Sequence, residues 1–173
     1  MEKPVVLYHG SSNREISEFK PRTEKVRDPL EGPRVFATND KRMASVFIAG
    51  TDDSWANSGM YNEIPYLVIS DRDRFVKLDE GGTIYHLPSD SFETDPNKGL
   101  GEIEWTSGES VEPLHREEHH TALEAMLEHG VQVYFVDPAT YQAWRTASDH
   151  GLSILKSLVS ENERKGINPI PFE

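Results

Sequence analysis

Apolar positions along the chain come mostly in short runs of β type, interrupted by long polar stretches. Residues 4–9 hold Val5-Val6-Leu7, an apolar run of the kind a buried strand makes, ending on Tyr8-His9-Gly10. The polar segment 12–33 follows, broken by Pro21, Pro29 and Pro33, with Ile16 and Phe19 as the residues available to pin it to a core. Its part from Lys20 to Gly32 is long for a loop, and long loops are often functional. Arg34-Val35-Phe36-Ala37-Thr38 predicts a second strand. Asn39 or Asp40 then caps a helix over 41–48, with Met43, Val46 and Phe47 on one face and Gly50 beyond its end. Residues 51–63 read as a polar loop and 66–69 as a strong strand. Asp71 to Arg74 predicts a charged turn, Phe75 to Leu78 a strand, and Thr83 to Leu87 another strand after the Gly81-Gly82 turn.

Residues 88–101 are loop-like, rich in Asp, Pro, Asn and Gly, before a short strand over 102–106. The C-terminal third has a different pattern. Leu123, Met126 and Leu127 make the stripe of a helix expected over 117–128 and stopped by Gly130. Val131 to Val136 is the most β-prone run in the chain. Asp137-Pro138 opens a helix with an acid ahead of a proline at the first helical position. A break is expected at Gly151, a further helix through Ile154, Leu155, Leu158 and Val159, and an extended tail from Gly166 onward. No internal repeat or low-complexity linker divides the chain. It reads as one α+β domain over 1–173, with 114–173 a helix–strand–helix C-terminal portion.

Composition narrows the classes of function. At 173 residues the chain can bury a core; its hydrophobic content is only 36%, but 3 Trp, 6 Tyr and 7 Phe can still build one. The net charge of −12 works against a sequence-independent grip on nucleic acid and against anionic membranes, so a nucleic-acid partner is less expected though a local basic pocket stays open. Without cysteine, disulfides and thiolate metal sites are ruled out. No apolar run approaches a membrane span and the first residues lack a signal-peptide pattern, so a cytoplasmic location is expected.

The candidate chemistry gathers at three places. His9-Gly10-Ser11 ends the first strand with an imidazole, an accessible backbone and a hydroxyl. Phe36 on the second strand and Phe47 on the following helix are eleven positions apart. Two aromatic faces held at a fixed separation make a slot for a flat ring. Glu102 and Glu104, at i and i+2, share one face if both lie on a strand.

In this order and spacing the chain resembles the ADP-ribosyltransferase superfamily of diphtheria-type toxins and poly(ADP-ribose) polymerases. That family carries an aromatic–His–Gly–Ser/Thr strand, a second strand with Tyr and small residues, another Tyr eleven positions on, and an acid on a later strand. The resemblance implies two small packed β-sheets with flanking helices, and NAD as substrate. It implies that His9, Gly10, Ser11, Phe36, Ala37, Thr38 and Phe47 form the NAD site, to which Arg34, just before the second strand, is added as a bidentate phosphate donor. It also implies that Glu104 is the catalytic acid and that Glu102 positions an acceptor, a protein or nucleic acid of unknown identity. Ala44 and Lys41 match the small and basic residues expected on the helix. Both family tyrosines are phenylalanine here, so stacking is kept and the hydroxyls are lost. Glu109 and Glu112 remain alternatives for the acid, and Arg14, Arg22, Arg27 and Arg34 are candidate phosphate donors. A non-catalytic module of the same fold, binding nucleotide or a partner, is the main alternative.

A second motif competes. His115-Arg116-Glu117-Glu118-His119 fits H-x-x-E-H, which on a helix places two histidines one turn apart for zinc, with Glu118 as base and His120 adjacent. The third ligand must come from elsewhere, and only 54 residues follow His119, so a zinc-dependent hydrolase is a second alternative, with incidental divalent-metal binding by these histidines beside it, and no metal ligand set is assigned.

Overall fold

The computed structural model describes residues 2–24 and 29–165, with side chains through Glu161 in the last helix. The tail from Gly166 and the candidate Arg27 therefore lie outside the described residues. Strand β1 (Val6–Ser11) organises the larger sheet. On one side it pairs antiparallel with β5 (Gly82–Pro88) along its whole length, from Val6↔Pro88 to Ser11↔Thr83. On the other it meets β2 (Val35–Thr38) at the single register pair Tyr8↔Thr38. Adding β6 (Glu104–Ser107) and β7 (His115–His119) gives the order β6-β2-β1-β5-β7. A second sheet has the order β3-β4-β8, with β3 (Ala56–Tyr61) antiparallel and β8 (Gln132–Phe135) parallel to β4 (Ile64–Ile69).

Period-two alternation assigns each sheet face to its own core. Leu7, Val35, Ala37, Tyr85, Leu87 and Trp105 point to one side of the large sheet, where Phe19, Phe92 and Val111 cover them from loops. Helices α1 (Lys41–Val46) and α3 (Ala122–Glu128) contribute Met43, Ala44, Val46, Ala122, Ala125 and Met126 to a second core, shared with Ile84 of the large sheet and Leu67, Ile69, Val133 and Phe135 of the small one. The small sheet's other face, Val68 and Tyr134, is covered by Tyr141 and Trp144 of α4 (Pro138–Thr146) and by Leu155 of α5 (Leu152–Lys165). The molecule is thus a mixed α+β protein with two small open sheets and, with α2 (Arg72–Leu78), five helices among the described residues. No helix among them is long and apolar enough to cross a membrane.

The cap signals hold. Asp40 accepts from the Arg42 backbone N–H, Asp137 from that of Thr140 behind Pro138, and Gly151 takes the positive φ (80°) that separates the last two helices.

Three expectations fail, the first two for a local reason and the third for a long-range one. The polar segment 56–61 is strand β3, because Asn62 and Glu63 both adopt positive φ (48° and 63°) and close a two-residue hairpin onto β4. The Asn-Glu pair lacks the glycine that announces such a turn. Asp71 to Leu78 is helix α2 instead of a turn and a strand: Asp71 caps it through the Arg74 N–H, and Phe75 is its one buried residue, while Val76 and Leu78 stay exposed. The helix expected from Glu117 starts later, at Ala122 behind the Thr121 cap. Residues 115–119 instead form β7, paired with β5 from His86↔His115 to Gly82↔His119. A charged strand suits a sheet edge, where side chains of this kind discourage pairing with another chain. The C-terminal portion is therefore strand–helix–strand–helix–helix rather than helix–strand–helix.

Candidate functional site

The β1–β2 ladder stops after Tyr8↔Thr38, and a cleft opens where the strands part. Across the gap His9 Nδ1 meets the Phe36 carbonyl at 2.6 Å. A carbonyl only accepts, so Nδ1 carries the proton and this bond sets the tautomer. The ring also lies 4.7 Å from that of Phe19, which fixes its tilt. Gly10 lets α1 lie directly on β1: a Cβ there would sit 1.8 Å from the Ala44 carbonyl oxygen. That close approach carries Phe47, the residue that ends α1, over the cleft with its side chain half exposed (48%).

The cavity has a volume of about 730 Å³, within the range of small-molecule sites. His9, Phe36, Phe47 and Glu104, drawn from β1, β2, the end of α1 and β6, all line it. Glu104 is half-buried and stands opposite Thr38 in the β2–β6 register. Ser11, Arg34 and Arg22 also border the cavity, and Arg22 and Arg34 exchange backbone hydrogen bonds of 3.0 Å. Ala37 and Thr38 are buried wall; Thr38 Oγ1 accepts the Asp40 N–H and so shapes the turn into α1. Asn57 and Ser58 of β3 border the cavity too. The reading of 51–63 as loop hid them, and alternation around the Asn62-Glu63 turn was the weak signal available.

Other candidates fall elsewhere. Glu102 lies in a 3-10 turn over Gly101–Ile103, exposed, so it does not share a strand face with Glu104 and does not line the cleft. Glu109 and Glu112 are exposed and also lie off it. Arg14 donates to the carbonyls of Glu80, Gly82 and His119, which makes it a clamp on the β5–β7 end of the sheet instead of a phosphate donor in the cleft.

A second polar centre lies at the β5–β7 edge, against α1 and α3. Glu117 Oε1 accepts from Lys41 Nζ at 2.5 Å and lies 3.0 Å from His86 Nε2. Burial pushes the Glu117 carboxyl up, but the Lys41 hydrogen bond and charge, helped by His86, hold it below the usual carboxylate range. His119 and His129 face each other with ring centroids 5.8 Å apart. Burial, and then the Lys41 charge, pushes His129 below the ordinary histidine value, which favours the neutral ring. The H-x-x-E-H reading fails here. On a strand His115 and His119 are separated by roughly 13 Å, too far to share an ion.

No family model, no curated protein and no solved structure matches the chain.

Proposed function

We propose that this protein is an ADP-ribosyltransferase-like NAD-binding protein whose site is the cleft between β1 and β2. One observation carries the reading: His9, Phe36, Phe47 and Glu104, far apart in sequence, line a single cavity of suitable size. In this reading Phe36 and Phe47 bracket the nicotinamide ring, and the backbone of Gly10 and Ser11 together with the His9 ring anchors the amide and ribose. Arg34 meets a phosphate. Glu104 stabilises the positive charge that grows on the ribose as the C1′–N bond breaks and its electron pair leaves with nicotinamide. The acceptor's nucleophile then bonds to C1′ and loses its proton. Glu102 has no part in this scheme as an acid, and an acceptor-positioning role for it would be played from the cleft's surroundings.

The test combines binding and chemistry. NAD at millimolar concentration is expected to raise the thermal midpoint, since a ligand that binds the folded state alone stabilises it. His9→Ala should abolish the shift. Glu104→Gln should keep it while removing nicotinamide release from labelled NAD, because the charge it serves develops only as the bond breaks. A shift without release in the wild type assigns the fold to a non-catalytic nucleotide-binding module. No shift with NAD, nicotinamide or ADP-ribose overturns the reading altogether.

A further inference from the structure

Away from the cleft, three donor groups converge that the NAD reading does not use. Glu117 and His119 project from the same face of β7, two residues apart. His129 caps the C-terminal end of α3 and faces them. One ligand atom from each of the three lies within 4.8 Å of the other two. Both imidazoles present a buried Nε2 that has no hydrogen-bond partner among the described residues. Buried polar atoms are nearly always paired, so two orphaned nitrogens beside a carboxylate ask for an explanation. The outer shell is in keeping. Glu128 Oε2 lies 3.8 Å from His119 Nδ1, the atom opposite the orphaned one: beyond hydrogen-bond distance, but on the side from which a carboxylate orients a metal-bound histidine. Lys41 and His86 both engage Glu117 through Oε1, which leaves Oε2 for a further contact.

We propose that Glu117, His119 and His129 form a binding site for a divalent transition-metal ion of the zinc class. Two imidazole nitrogens and one carboxylate oxygen are a three-ligand set that zinc and its neighbours accept, with one position left open. Tetrahedral coordination at 2.0–2.1 Å places donors about 3.4 Å apart, so small side-chain rotations close the cluster. The ion ties the end of α3 to the edge strand of the large sheet, whose own residues there, His115 to His119, are all polar.

Zinc and cobalt(II) titrations of the intact chain, followed by calorimetry and by cobalt absorption, test the proposal. One equivalent should bind, with visible bands of tetrahedral intensity and a raised thermal midpoint. His119→Gln and His129→Gln should each weaken binding by at least ~100-fold, while His115→Gln and His120→Gln leave it unchanged. Should either ligand variant fail to fold, imidazole nitrogen NMR of the wild type gives the answer without mutation: zinc must shift the signals of His119 and His129. Failure to bind at millimolar metal overturns the proposal. So does binding that survives the His119→Gln/His129→Gln double change, or zinc shifts confined to other histidines.

Discussion

The two edges of the β1–β5 pair, within one sheet, treat histidine in opposite ways. On the β2 side the ladder breaks after one register pair, and His9 reaches across the gap to a backbone carbonyl at the lip of an open cavity. On the β7 side the ladder runs unbroken over five pairs, and His86, His119 and His129 are drawn together around Glu117 and Lys41. Strand separation yields a space for a ligand; continued pairing yields a dense polar cluster with room for an ion at most. Helix α1 serves both, since Gly10 seats it on β1 while its first residue, Lys41, reaches β7 and the residue after it, Phe47, reaches the cleft.

That shared dependence makes Gly10→Ala the largest expected perturbation. The new methyl collides with backbone, which cannot rotate away, so α1 must shift; a loss of about 3 kcal/mol is expected from urea unfolding. The change should disturb both edges together. A loss below about 1 kcal/mol would show that α1 is only loosely seated and that the two regions are independent.

The β7 side alone should respond to its ion pair. A double-mutant cycle on Lys41→Met and Glu117→Gln, run with a chelator present, should give a coupling of about 1 kcal/mol that falls with added salt. Both side chains are more than two-thirds buried, which is why the coupling should exceed that of a surface pair. Zero coupling would remove Lys41 from the account of this cluster. The pair also predicts a pH effect. Glu117 titrates lower in the folded chain than its ordinary value of 4.5, so its contribution is fully present above that pH and is lost as pH falls through the lower folded value. The stability advantage of the wild type over Glu117→Gln should therefore hold from neutral pH down to about the ordinary carboxyl value of 4.5 and shrink on further acidification. An advantage that grows on acidification contradicts the sign.

The smallest effect on stability belongs to the cleft. Phe47 is half exposed, so Phe47→Ala should change unfolding by no more than about 0.5 kcal/mol. The same substitution should abolish the thermal shift that the proposed function expects from NAD. A large destabilisation with the shift retained would mark Phe47 as a packing residue.

Much of the scaffold was legible in local pattern. The apolar runs at 6–7, 66–69 and 132–135 lie in strands, though Val5, read as part of the first, is outside β1 and exposed; Asp40, Asp137 and Gly151 punctuate helices, because burial periodicity and capping act within a few residues. The gathering of His9, Phe36, Phe47 and Glu104 was legible as an ordered set of motifs. What those motifs could not show is the single-pair β1–β2 contact that makes a cavity among them. Glu102 illustrates the limit: i, i+2 spacing places two acids together only if both lie on a strand, and a turn at Gly101–Ile103 separates them. His115 to His119 illustrates it further. Its charges suit a helix as well as an edge strand, and only the free edge of β5, formed by residues some 30 positions earlier, decided for the strand. That choice separates His115 from His119 and brings His119 to His129. Local chemistry determined which residues could bind; long-range pairing decided which of them meet, because strand edges and helix seats are supplied by distant parts of the chain.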